Sequence, residues 1–382
     1  MTALAPIREP ASTAASGPPE SRGIRRDGVK LMVAEGEAPI AHTVFSRLGE
    51  WLRPGDLLVV NVSATMPASL DGHTAAGEPI RLHLSAPIGG DLWTVEPRRP
   101  QGIGSTRMTD HGGGTVTLAA GAAAHLLTPD SRSPRLWVTR MIDTGDPLAF
   151  LQRHGEPIRY SHTAAAWPLE AYQNVYARTP GSAEMPSAGR PFTTRLLTTL
   201  MAGGVFVAPL ILHAGVASFE DGERPDVERY DVSEATAGIV NHVKGAGGRV
   251  IAVGTTSVRA LETLTDSRGV VHPGSGSTDL VIGPQRGTRV VDGLITGWHD
   301  AGASHLDLVA AVAGQATVER CYRDADEYGY QRHEFGDSLL VLRDQTSVGS
   351  GNQRNASADS GRDAALSPLD HADSRMRRAS AK

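Results

Sequence analysis

Cysteine is nearly absent. Cys321 is the only one in 382 residues, which excludes an internal disulfide and a thiolate metal cluster, and its setting in Val318-Glu-Arg-Cys-Tyr322 reads as a helix with the thiol packed in the core. Lysine is scarce as well. Lys30, Lys244 and Lys382 are the only ones and none lies in a pocket motif, which argues against Schiff-base or lysine general-base chemistry. No run approaches the roughly 18 apolar residues of a membrane helix. The Ala-, Pro- and Ser-rich start lacks the apolar stretch of a secretory signal, so the expectation is a cytoplasmic protein with no membrane partner. There is no Gly-x-x-x-x-Gly-Lys-Ser/Thr loop, no His-Glu-x-x-His helix and no Gly-x-Ser-x-Gly elbow. Nothing repeats at a solenoid period. A net charge of −5 gives no whole-protein positive field for nucleic acid and leaves room only for a local basic patch.

What is present is long enough to bury a large core, with a prior for two domains. Residues 1–22 and 344–382 are small and polar without apolar periodicity and read as disordered tails. Val29 to Ala34 looks like a strand, and Pro54-Gly55 marks a turn before the buried strand ending at Asn61. Between residues 68 and 144 the text changes to short alternating segments, Ile80 to Leu84, Leu92 to Val95, Thr115 to Leu118 and Arg135 to Thr139, punctuated by Gly and Pro. That pattern predicts an inserted small β-barrel. Gly112-Gly-Gly114 reads as a hairpin loop, because no helix follows it. The flanking segments, 23–67 and 145–343, alternate helices and apolar strands: Thr193 to Met201, Val205 to Leu212, Ser233 to Lys244, a long helical stretch from Ala303 to Tyr328, and Ser338 to Leu342. The fold class is therefore α/β, with the barrel interrupting the main domain.

The most informative segment is Arg249-Val-Ile-Ala-Val-Gly-Thr-Thr-Ser-Val-Arg-Ala-Leu-Glu262. It reads as a buried strand, a break at Gly254, N-cap candidates at Thr255, Thr256 and Ser257, and a helix through Leu264. Free amides at such a helix start favour an anion, and Arg259 could add a bidentate fork. The alternative is an ordinary turn with Arg259 in solvent.

Val253-Gly-Thr-Thr-Ser-Val-Arg-Ala-Leu-Glu262 resembles the signature of the S-adenosylmethionine:tRNA ribosyltransferase-isomerase family of queuosine biosynthesis. Supporting pieces in the family's order are Leu52-Arg-Pro-Gly-Asp-Leu-Leu58, Tyr172-Gln-Asn-Val-Tyr-Ala177, Glu228-Arg-Tyr-Asp-Val-Ser233, Thr278-Asp-Leu280, Val291-Asp-Gly-Leu-Ile-Thr296 and Phe335-Gly-Asp337. The resemblance implies an α/β domain interrupted by a barrel. It also implies transfer and isomerisation of the ribosyl part of S-adenosylmethionine onto 7-aminomethyl-7-deazaguanine in tRNA, giving epoxyqueuosine. S-adenosylmethionine is then a consumed substrate, with no cofactor or metal, and tRNA is the partner of a monomer. Such chemistry needs a base for the acidic proton beside the sulfonium, proton assistance for departing adenine, and a neutral amine. The resemblance nominates His213, His299 and Glu228 as catalytic. It nominates Thr255, Thr256, Ser257, Arg259, Ser187, Gly189, Phe192, Phe219, Asp279 and Asp337 as substrate-binding. Each has a plainer reading too: a packed histidine, a capping aspartate, a loop charge.

Several positions depart from the family pattern. Pro-Thr-Ala-Gly-Leu-His-Phe-Thr is here Pro186-Ser-Ala-Gly-Arg-Pro-Phe-Thr193, so Pro191 replaces a histidine and removes any proton transfer made there. An arginine position holds Glu220, a Met-His pair holds Pro225-Asp226, and a lysine position holds Gly302. Asn-Asp-Thr-Arg reads Asn61-Val-Ser-Ala64. These changes fall on polar positions and keep two further readings open: a divergent paralogue acting on another nucleoside or sulfonium substrate, and an inactive protein that binds S-adenosylmethionine or tRNA.

Overall fold

The computed structural model describes residues 14–108, 112–159, 162–216, 227–299 and 305–343. Leu57–Asn61, all five residues buried, is the apolar run expected of a strand covered on both faces. It lies inside a nine-stranded sheet. The order from one edge is Gly274–Thr278, Glu228–Val232, Phe206–Leu212, Leu57–Asn61, Val250–Val253, Gly293–Gly297, Ser338–Leu342, Lys30–Glu35 and Ala41–Val44. The four strands from Phe206–Leu212 to Gly293–Gly297 run parallel, so their carboxyl ends share one edge. Ser338–Leu342 runs antiparallel to them and Lys30–Glu35 parallel to it, so both of these strands start at that same edge.

Side-chain alternation sends residues of the central strands to opposite layers. Leu57, Val59, Val250 and Ala252 pack with residues of the helices Glu234–Gly245, Thr255–Thr263, His305–Ala313 and Gln315–Glu327. Leu58, Val60, Ile251 and Val253 pack with Phe45, Leu48, Phe192 and the helix Thr194–Ala202. Asp56 fastens the start of the central strand to its neighbour, accepting Arg249 Nη2 at 2.6 Å and Nε at 3.1 Å. Cys321 is fully buried and its thiol is pushed up to about 12 by burial.

The second sheet joins Ser133–Ile142, Ala123–Asp130, Gly114–Thr117, Ser69–Thr74, Pro79–Gly89 and Leu92–Gln101. Pairing of the first with the last closes a six-stranded barrel. Leu70, Leu82, Trp93, Val95, Val116 and Leu126 fill its core. The α/β fold with an inserted barrel is thus the observed architecture.

Three sequence expectations need correction. Residues 14–22 are not a featureless tail: Ala15 is fully buried, Pro19–Arg22 forms a 3-10 turn, and Ala15 donates its amide to Arg332. Residues 1–13 and 344–382 lie outside the described residues. The helix expected from Ala303 to Tyr328 is two helices, broken at Gly314, whose φ of +84° caps the second. The helix Thr255–Thr263 is capped by Gly254 at φ +92°, not by the hydroxyls that follow it. A side chain at Gly254 would be strained in that conformation.

Candidate functional site

The carboxyl edge of the parallel strands is where an open α/β sheet offers a ligand crevice. Asn61, at the end of the central strand, braces this edge. Its Nδ2 donates to Leu212 O at 2.8 Å and to Thr256 Oγ1 at 3.2 Å, while Oδ1 accepts the amides of Ser63 and Leu212. Ser257 turns its hydroxyl back onto Val253 O. No side chain caps the helix start, and Thr255 and Thr256 are half-buried at this edge.

His213 follows the strand Phe206–Leu212. Its Nδ1 lies 2.8 Å from Ser63 Oγ, which is 2.7 Å from Ser182 Oγ. Ser182 Oγ also accepts the amide of Ala214. Burial lowers His213 to about 4, and the charge of Arg229 adds to this, so the ring is neutral at pH 7. Glu228 is ion-paired with Arg259 and accepts the Gly215 amide at 3.4 Å. Burial raises the Glu228 carboxyl despite Arg259. Arg259 also donates to Leu280 O and Thr278 O, so it is neither in solvent nor an open fork. It holds Glu228 and the edge strand.

A small cleft opens beside this turn, lined among others by Ser187, Pro191, Gly297, His333, Glu334 and Asp337. Ala188, in its wall, lies against Gly254 of the motif turn. Pro191 therefore does border a crevice. His162 Nε2 is 2.9 Å from Glu334 Oε2, and the His162 and His333 rings stack at 4.4 Å. His299 stacks on His305 at 4.5 Å with ring planes 4° apart, and its Nε2 is 3.2 Å from Thr296 Oγ1. Burial drives His299 well below the usual imidazole range, helped by the charges of His305 and His333. His305 is lowered to about 4 by burial and by Arg259. Glu184 is pushed up to about 8 by burial and by its neighbours Glu334, Glu96 and Glu228, against Arg135. Glu334 is lowered instead, its His162 hydrogen bond and the charges of His162 and His333 outweighing burial, so the two neighbouring carboxyls carry different protonation states at neutral pH.

The structure brings together His213, Glu228, Arg259, Thr256 and Ser257 on one side, and Ser187, Asp337 and the His299 column on the other. Asp337 is engaged structurally, accepting the amides of Lys30 and Gln331, both at 2.8 Å. Phe192 is wholly buried and packs edge-on against Phe45 at 4.9 Å between ring centroids, so it supports the wall and presents no face to a ligand. Gly189 is packed under Tyr176 and Asn174, which leave no room for a side chain. Asp279 is exposed. Phe219, Glu220, Asp226 and Gly302 lie outside the described residues. Sequence reasoning missed Glu184, His162, His305, His333 and Glu334. The signal for two of them was the His333-Glu334 pair directly before Phe335-Gly-Asp337, where titratable residues adjoin a motif.

A twisted α/β sheet with an inserted barrel, and a crevice of histidines and carboxylates at its carboxyl edge, is the layout of an enzyme acting on a polar small molecule. The family model described as "Queuosine biosynthesis protein" matches residues 8–341. The S-adenosylmethionine:tRNA ribosyltransferase-isomerase of Anaeromyxobacter dehalogenans is 37% identical over 334 residues, covering 83% of this chain and 93% of that one. That of Symbiobacterium thermophilum is 37% identical over 333 residues, covering 83% and 94%. The crystal structure of an S-adenosylmethionine tRNA ribosyltransferase from Thermotoga maritima aligns with a TM-score of 0.50 at 27% identity, covering 88% of this chain and 99% of that one. The chain belongs to the queuosine biosynthesis protein family.

Proposed function

We propose that this protein transfers the ribosyl group of S-adenosylmethionine onto 7-aminomethyl-7-deazaguanine in tRNA and isomerises it, giving epoxyqueuosine. The observation that carries this reading is the meeting of the Val253–Glu262 motif turn, through Ala188, with a cleft lined by His333, Glu334 and Asp337, in a chain that belongs to this family over residues 8–341. S-adenosylmethionine is a consumed substrate and no cofactor takes part. The protein acts on tRNA as a monomer in the cytoplasm. Among the described residues no helix is long and apolar enough to cross a membrane.

The proposed division of labour follows from protonation and burial. The first-turn amides at Thr255 and Thr256 receive the methionyl carboxylate, since a helix start favours an anion. Ser187 and Asp337, at the cleft wall, face the nucleoside. His213 is neutral at pH 7 and can take a proton from the attacking amine, with Ser63 fixing its ring. Glu228, locked to Arg259, sets the position of Gly215 and so of the segment following His213. His299 and His305, lowered by burial, stay uncharged and do not compete for the sulfonium.

The decisive experiment incubates the protein with S-adenosylmethionine and tRNA bearing the aminomethyl precursor, against unmodified tRNA, and follows adenine by chromatography. Release that requires the precursor is expected. Absence of release with precursor tRNA would remove this reading.

A further inference from the structure

We propose that Glu334, held by His162, is the carboxylate facing the sulfonium of the bound nucleoside: its counter-charge in the complex and the base for the proton beside it. This rests on the reaction proposed above and deepens it by naming the group that meets the substrate's positive charge.

Among the described residues, two other carboxylates near the cleft have fixed partners. Glu228 is paired with Arg259 and Gly215, and Asp337 is occupied by two backbone amides. The cations along the cleft are engaged as well: Arg190 and Arg26 both bind Glu20. Glu334 differs from these. It lines the cleft with Pro191 and Gly297, and its carboxylate is held by a histidine, His162, at 2.9 Å. The stack of His162 on His333 at 4.4 Å fixes the direction of that bond. His162 meets the carboxylate through Oε2, a single bond rather than the two-pronged grip of a guanidinium, and a substrate cation can approach the same group.

The groups facing Glu334 agree with this role. Burial pushes its carboxyl up, but the His162 hydrogen bond, with the charges of His162 and His333, outweighs that and leaves it below the usual range. Glu334 is therefore ionised at neutral pH. Its charge in turn helps raise Glu184 and Tyr172, which keep their protons. In the step itself the C–H bond beside sulfur breaks, the proton forms an O–H bond on Glu334, and the electron pair stays on carbon, where the adjacent sulfonium stabilises it. Pro191, which borders the same cleft, has nothing to titrate.

Titration of S-adenosylmethionine and of uncharged S-adenosylhomocysteine into wild type and Glu334→Gln separates charge from fit. The expected result is that Glu334→Gln loses about tenfold in affinity for the sulfonium, the scale of one charge-assisted contact, while binding of the thioether is unchanged. An unaltered preference would overturn the assignment, whether or not wild type turns over. Adenine release by wild type, measured in parallel, tests the reaction itself, so the two failures are distinct. In turnover, His162→Ala removes the bond that lowers Glu334, so the acid limb of the pH–rate profile moves to higher pH; an unmoved limb counts against the pair. Glu334→Asp, which keeps the charge but withdraws it, is the variant to use if the Gln form does not fold: sulfonium preference persists and kcat falls. Wild-type kcat in that variant would overturn the base.

Discussion

Ser63 Oγ lies 2.8 Å from His213 Nδ1 and 2.7 Å from Ser182 Oγ, so one hydroxyl joins the imidazole to the strand Thr179–Ser182. Gly181 packs directly under the ring, with no room for a side chain. The position and tilt of the His213 ring are thus set from two sides. Ser63→Ala leaves two buried polar atoms without this partner, which costs about 1–3 kcal/mol. Turnover should drop while S-adenosylmethionine affinity holds. Thermal melts and calorimetric titration check the two halves, and equal turnover in the variant would show that the hydroxyl does not position the ring.

Sequence offers Arg259 as a ligand fork, and in the structure its guanidinium pairs with Glu228. Arg259→Ala therefore strands a buried carboxylate and should destabilise by about 3–5 kcal/mol, in addition to weakening ligand binding. Adding Glu228→Gln removes the stranded charge. The double variant should recover much of the lost stability in urea without recovering affinity. A double variant as weak as Arg259→Ala would mean the pair is not what Arg259 contributes.

The α/β class and the inserted barrel were legible because both rest on periodicity: continuous apolar runs at Leu57–Asn61 and Val250–Val253, and short alternating segments such as Ile80 to Leu84 and Thr115 to Leu118. Thr193 and Ser233 were readable as helix starts because capping is local, and each does accept the amide three residues on. The split at Gly314 was lost because a single glycine inside an apolar pattern is compatible with a continuous helix. The motif hydroxyls were misjudged as caps because Gly254 can adopt a positive φ that sequence does not display. Within the site, motif residues were visible individually, but their partners were not. His162 and Glu334 are 172 residues apart, and only the fold shows that Arg259 meets Glu228 or that Phe192 is turned into the core.

Asp56 and Arg249 show the same point for stability. Both are almost fully buried, and Asp56 also accepts the amides of Arg53 and Arg249. Asp56→Ala leaves the guanidinium buried and unpaired at the root of the motif strand, at a cost of about 3–5 kcal/mol. A lower urea midpoint with an unchanged slope is the expected signature. A midpoint like that of wild type would show that the guanidinium finds other partners.

Glu184 gives the protein a pH dependence of opposite sign to that of its histidines. Its carboxyl is raised from 4.5 to about 8, so the native state keeps a proton that the unfolded chain releases above 4.5. Its contribution to stability is full below pH 4.5 and is lost as pH rises to about 8. His213 and His305 are lowered from 6.5 to about 4. There the unfolded chain gains protons that the native state refuses, and stability is lost as pH falls from 6.5 to about 4. Wild type should therefore melt highest at mildly acidic pH, between the two losses. Glu184→Gln cannot ionise, so its Tm relative to wild type should climb steadily from pH 5 to pH 8 while the acid side stays unchanged. Melts across that range decide it: a constant difference at every pH would mean that Glu184 ionises as freely in the native protein as in the unfolded chain.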